Sequence, residues 1–72
     1  MSDKNDFINS ARNYRLSKNM KSAEEYYKKA IILSPDDNNL LFEMGNFYYE
    51  LKDFNLALVL FYYSFIIIHL VL

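Results

Sequence analysis

At 72 residues, the chain has room for one domain, whose lone hydrophobic core would supply about 3–5 kcal/mol. It has no cysteine and one histidine, which excludes a disulfide framework or a zinc site as further support and leaves association with more protein or with lipid. A net charge of -1 provides no basic field of the kind nucleic-acid binding draws on, so neither DNA nor RNA is expected as a partner.

Within that balance the charges are unevenly placed. All eight Lys and Arg and all nine Asp and Glu fall between Asp3 and Asp53, and Phe54 to Leu72 holds none. The N-terminal stretch MSDKNDF is polar where a signal peptide would carry an apolar run. With the missing cysteines, this points to a cytoplasmic protein.

In chain order, apolar and small residues three and four apart predict helices at about 4–17, 20–34, 38–51 and 54–70. Phe7, Ser10, Ala11 and Tyr14 share one side of the first. Met20, Ala23, Tyr27, Ala30 and Ile31 share one side of the second. LSKN and its counterpart LKDF are short polar turns, with Asn19 and Asp53 as N-caps of the helices that follow. Pro35, Asp36 and Asp37 end one helix pair and open the next. Glu24 with Lys28 and Glu25 with Lys29 stand in the favourable i, i+4 order and mark a solvated face.

The chain also repeats itself. Laid on its own sequence so that Phe7 meets Leu41, it brings Ala11 onto Gly45, Tyr14 onto Tyr48, Asn19 onto Asp53, Ala23 onto Ala57, Tyr27 onto Phe61 and Ala30 onto Ser64. The small members of these pairs let helix backbones approach closely while Tyr14, Tyr27, Tyr48 and Phe61 fill the remaining space. A generic four-helix bundle would share the amphipathic period but not the matched alanine and glycine positions.

This pattern resembles the tetratricopeptide repeat family. Leu41, Met44, Gly45, Tyr48, Ala57 and Phe61 carry its spacing most clearly, and Phe7, Ser10, Ala11, Tyr14, Ala23, Tyr27, Ala30 and Pro35 carry it in the first unit. Ser10 departs from the usual leucine, and His69 stands where Pro35 closes the first unit. The resemblance implies an all-α fold, an α-solenoid of two antiparallel helix-turn-helix repeats with four helices, read as one domain over 1–72 with repeats at 4–37 and 38–71. It also implies a non-catalytic scaffold or adaptor that binds a peptide or partner helix, and a fragment of a longer array.

In that family the first helix of each unit lines a concave groove. Carried over by register, the groove residues are Asn5, Ile8, Asn9, Arg12 and Arg15, then Phe42, Glu43, Asn46, Tyr49 and Glu50. Asparagine amides suit a peptide backbone, Arg12 and Arg15 suit carboxylates, and Phe42 and Tyr49 offer apolar seats. Some members clamp a partner's terminal carboxylate with lysine and asparagine. Here Ile8 stands at the lysine position, and Arg12 and Glu43 replace asparagines, so that use is not expected.

No residue set suggests catalysis. There is one glycine and no phosphate-binding loop, and His69 has no carboxylate nearby in sequence. Neither a cofactor nor a metal is expected, and His69 reads as a packing or surface residue.

The segment FNLALVLFYYSFIIIHLVL raises a separate question. Its length without charge meets the criterion for a membrane span, so the alternative is a tail-anchored protein attached through residues 54–72. Against it, Ala57, Phe61 and Ser64 keep the repeat register, and Asn55, Ser64 and His69 would sit in or beside hydrocarbon. The repeat in turn does not account for Leu56, Val59, Tyr62, Tyr63 and Ile66, apolar where the first unit is charged. A helix apolar all round requires cover. A further repeat, a second copy of the chain, another protein or a bilayer would each provide it.

Overall fold

The computed structural model describes residues 3–71. Met1, Ser2 and Leu72, which end the predicted domain and the apolar segment, lie outside the described residues. Among the described residues the chain forms four helices, α1 (Lys4–Leu16), α2 (Met20–Leu33), α3 (Asn38–Glu50) and α4 (Phe54–Val71). They fall into two compact units, Met1–Pro35 and Asp36–Leu72. In each, two consecutive helices pack against one another, α1 with α2 and α3 with α4.

Side-chain caps explain where each helix begins. The Asp3 carboxylate accepts from the Asp6 backbone N–H at 2.9 Å while the Asp6 carboxylate accepts from the Asp3 N–H at 3.3 Å, closing a capping box. Asn19 accepts from the Ser22 N–H at 3.3 Å, Asp37 from Leu40 at 3.1 Å and Asp53 from Leu56 at 3.2 Å. Each replaces the water that an otherwise orphaned first-turn N–H would need.

The ends of α1 and α3 are built alike. After α1 the Lys18 N–H bonds the Arg15 carbonyl at 3.1 Å and the Asn19 N–H bonds Tyr14 at 2.9 Å; after α3, Lys52 bonds Tyr49 at 3.0 Å and Asp53 bonds Tyr48 at 3.0 Å. This pair of bonds is the Schellman arrangement, which puts its turning residue in the left-handed region. Lys18 and Lys52 occupy that place with φ of 67° and 63°, a conformation that crowds the Cβ of any residue except glycine. The residue that follows each lysine caps the next helix, so one short turn both stops and restarts the chain.

The first unit packs around small residues. Ala11 of α1 and Ala23 and Ala30 of α2 are completely buried, as is the Tyr27 ring. With no side chain beyond Cβ at the three alanine positions, the backbones approach and the ring fills the gap. The Tyr27 hydroxyl accepts a hydrogen bond from Arg15 Nη1 at 3.2 Å, giving the polar tip of a buried ring a charged partner. Tyr14, expected beside it in the core, stands at the rim instead, its ring stacked on Tyr26 with centroids 5.6 Å apart. Lys29, which the sequence pairs with Glu25, has its ammonium 4.8 Å from the Tyr26 ring centroid.

In the second unit Leu40, Leu41, Met44, Phe47 and Tyr48 of α3 are buried together with Ala57 and Ser64 of α4. Gly45 sits directly under the Phe61 ring, and a Cβ built there would lie 2.6 Å from its nearest carbon. Phe42, at 5.3 Å between centroids, touches Phe61 as well. Ser64 donates to the backbone and side-chain oxygens of Asn38, tying the middle of α4 to the start of α3.

Two outcomes follow from this packing. Replacing Lys18 or Lys52 with glycine removes the left-handed strain and raises stability by about 0.5–1 kcal/mol, read as a thermal midpoint several degrees higher. Gly45→Val drives two methyls into the Phe61 ring and lowers stability by about 1–3 kcal/mol. Combined with Phe61→Leu in a double-mutant cycle, its cost shrinks by about 0.5 kcal/mol or more, because the clash partner is gone.

Candidate functional site

The predicted contact residues lie on the first helix of each unit. On α1, Asn5, Asn9 and Arg12 are exposed and stand four and three residues apart, which places them along one side of the helix. Arg15 continues the line, half-buried and bonded to the Tyr27 hydroxyl. Ile8 departs from the expectation: at 9% exposure it belongs to the core and holds the helix in place rather than presenting a contact. Its side chain is apolar and at a register position that packing can reach.

On α3, Phe42, Asn46, Tyr49 and Glu50 are exposed and Glu43 is half-buried. The Phe42 and Tyr49 rings, two turns apart, are the large apolar groups of this face. Neither is loose, since Phe42 rests on Phe61 and Tyr49 meets the Phe54 ring edge-on at 5.2 Å. Such rigid rings lose little freedom when a partner covers them.

Beside Tyr49 the structure adds residues that the register missed. Tyr49, Phe54, Ala57, Leu58 and Phe61 line an open apolar cavity of about 250 Å³ at the mouth of the α3–α4 pair. Phe54 and Leu58 are four residues apart at the start of α4, a spacing present in the sequence.

On α4, Val59, Tyr62 and Tyr63 are exposed and Leu56 and Ile66 are half-buried, so the predicted association face is largely open to solvent. Leu58 and Phe65 extend it, both exposed. His69 lies at its far end with Nδ1 2.9 Å from the Phe65 carbonyl oxygen, a distance at which the ring N–H donates to the preceding turn, and its ring against that of Phe65.

For the membrane-span alternative at residues 54–72, the finding is that among the described residues no helix is long and apolar enough to cross a membrane. One side of α4 is also committed to α3 through Ala57, Phe61 and Ser64.

With this geometry in view, one comparison with known proteins is informative. Residues 7–37 match the tetratricopeptide repeat family. That segment is similar to a tetratricopeptide repeat. It takes in the small and aromatic positions of the first unit, from Phe7 through Ala11, Ala23 and Tyr27 to the closing Pro35. All four helices, paired as they are, are consistent with two tetratricopeptide-like repeats. No curated protein and no solved structure matches the chain. Tetratricopeptide repeats are in general protein–protein interaction modules. Among the described residues no group of three or more His, Asp or Glu is placed to hold a metal ion.

The Tyr49–Phe54 contact is open to measurement. Truncating either ring to alanine costs about 1 kcal/mol, and the double-mutant cycle leaves a coupling of about 0.5–1.5 kcal/mol, the usual range for an edge-on aromatic pair. Helix content by circular dichroism stays at the wild-type level in each variant, because both rings are at the rim.

Proposed function

We propose that the chain is a non-catalytic interaction module, a scaffold or adaptor in which the exposed side of α1 and that of α3 are contact faces for an extended peptide or a partner helix. The supporting observation is the placement of Phe42 and Tyr49. Two ordered, half-exposed rings on one helix face, with the Asn46 amide between them, combine apolar seats with a group that bonds a peptide backbone. On α1 the Asn5 and Asn9 amides offer the same backbone bonds, and the guanidinium of Arg12 supplies a planar fork for carboxylate. Acidic side chains are the expected ligand feature at α1, and apolar ones at α3.

Arg12 is exposed and tests the charged contact, whereas changing Arg15 breaks its bond to Tyr27. Random peptides displayed on phage and selected against the immobilised chain are expected to enrich sequences pairing acidic with apolar residues. Arg12→Glu and Tyr49→Ala should each weaken the selected peptides by about tenfold or more, in line with the loss of a charge-assisted bond or an aromatic anchor. Lys21→Glu, on α2, should leave them unchanged. Selected peptides that bind the Arg12→Glu, Tyr49→Ala double variant as tightly as the wild type would refute the assignment of these faces.

A further inference from the structure

The exposed side of α4 has a symmetry that neither its composition nor the repeat requires. Its centre is Tyr62, opposite the buried Ala57 and Ser64. Counting outward from Tyr62, Val59 and Phe65 stand three residues to either side, Leu58 and Ile66 four, and Asn55 and His69 seven. At about 100° per residue all six lie within about 60° of the Tyr62 direction. Aliphatic Leu58 mirrors aliphatic Ile66, apolar Val59 mirrors apolar Phe65, and the two polar residues mirror one another at the ends.

We propose that this face pairs with the same face of a second copy of the chain, α4 against α4 and antiparallel, about a two-fold axis through Tyr62. A two-fold interface must be self-complementary, each residue meeting the residue that its own mirror position dictates. The Leu58–Tyr62–Ile66 row runs through the axis, so in the antiparallel pair the row of one copy faces the same row of the other. Leu58 then lies beside Ile66 of the other copy and the two Tyr62 rings meet at the centre. At both ends Asn55 comes opposite His69. With the His69 Nδ1–H donating to the Phe65 carbonyl, Nε2 is an acceptor, and the Asn55 amide supplies the donor.

Charge and area favour a second copy over an unlike partner. Phe54 to Leu72 carries no Asp, Glu, Lys or Arg, so the face meets itself with no like-charge repulsion and carries nothing by which an unlike partner would be selected electrostatically. Leu58, Val59, Tyr62 and Phe65 are 68%, 60%, 65% and 57% exposed. Since a covered aromatic buries about 150–250 Å², those four offer roughly 400 Å² per copy. Asn55, Ile66 and His69 bring the total to about 500 Å², or about 1,000 Å² over both copies, the threshold of a specific interface.

Sedimentation of the 72-residue chain over a wide concentration range tests the pairing, with a species of twice the 8.6 kDa chain mass expected. Tyr62→Arg places two like charges at the axis and should raise the dissociation constant at least tenfold while helix content is kept. The absence of native cysteine makes a second arm clean, using a short bis-maleimide on single-cysteine variants. Tyr62→Cys should cross-link to itself efficiently. Leu58→Cys should not, but should cross-link to Ile66→Cys when the two variants are mixed. This arm stands even if Tyr62→Arg fails to fold. A monomer at every concentration would overturn the proposal, whether α4 then binds phosphatidylcholine vesicles, assigning the face to lipid, or is covered only in a longer form of the chain, assigning it to a further repeat. Self-cross-linking of Leu58→Cys as strong as that of Tyr62→Cys would also overturn it, since that pattern belongs to parallel helices.

Discussion

Close approach of two helix backbones is the constraint on which each unit depends. Gly45 under the Phe61 ring shows it most directly, because the space that a single added carbon would occupy is already taken by aromatic carbons. Ala11, Ala23 and Ala30 serve the same end in the first unit, where the Tyr27 ring fills what the alanines leave open. Small side chains contribute little buried area themselves. Their effect is to bring the large rings of the neighbouring helix into full contact, where most of the area is gained.

That constraint also shapes what is left outside. A helix that turns Ala57, Phe61 and Ser64 toward α3 has to turn Leu58, Val59, Tyr62 and Phe65 away from it. In α2 the outward positions include Lys21, Glu25, Lys28 and Lys29, all exposed. Lys28 lies 3.9 Å from Glu24, and Lys29 lies over the Tyr26 ring. Water covers such a face readily. The outward face of α4 is apolar, so the same backbone arrangement has opposite consequences for association in the two units.

The outward sides of α1 and α3 differ in a similar way. In the register that lays Phe7 on Leu41, Ile8 corresponds to Phe42 and Arg15 to Tyr49. Ile8 and Arg15 are drawn inward, one into the core and the other onto the Tyr27 hydroxyl, whereas Phe42 and Tyr49 stay half outside against α4 rings. One register thus yields a polar, basic side on α1 and an aromatic side on α3.

Helix limits were legible to within a residue or so, because caps at Asp37, Asn19 and Asp53 and the break at Pro35 are local chemistry that each residue type announces. The matched small residues were legible too, since their recurrence at the same places in both units has no other use than packing. What the residue types did not announce is that Lys18 and Lys52 adopt left-handed backbone, where glycine would be the usual signal; two carbonyl bonds from the helix end impose it. Nor did periodicity separate Ile8, buried, from Tyr14, at the rim, or pick out Phe54 and Leu58 beside Tyr49. Helical spacing decides which side chains share a face, and this the amino-acid order determined by itself. How far each reaches beneath its neighbours depends on the rings of the opposing helix, and only the tertiary packing decided that.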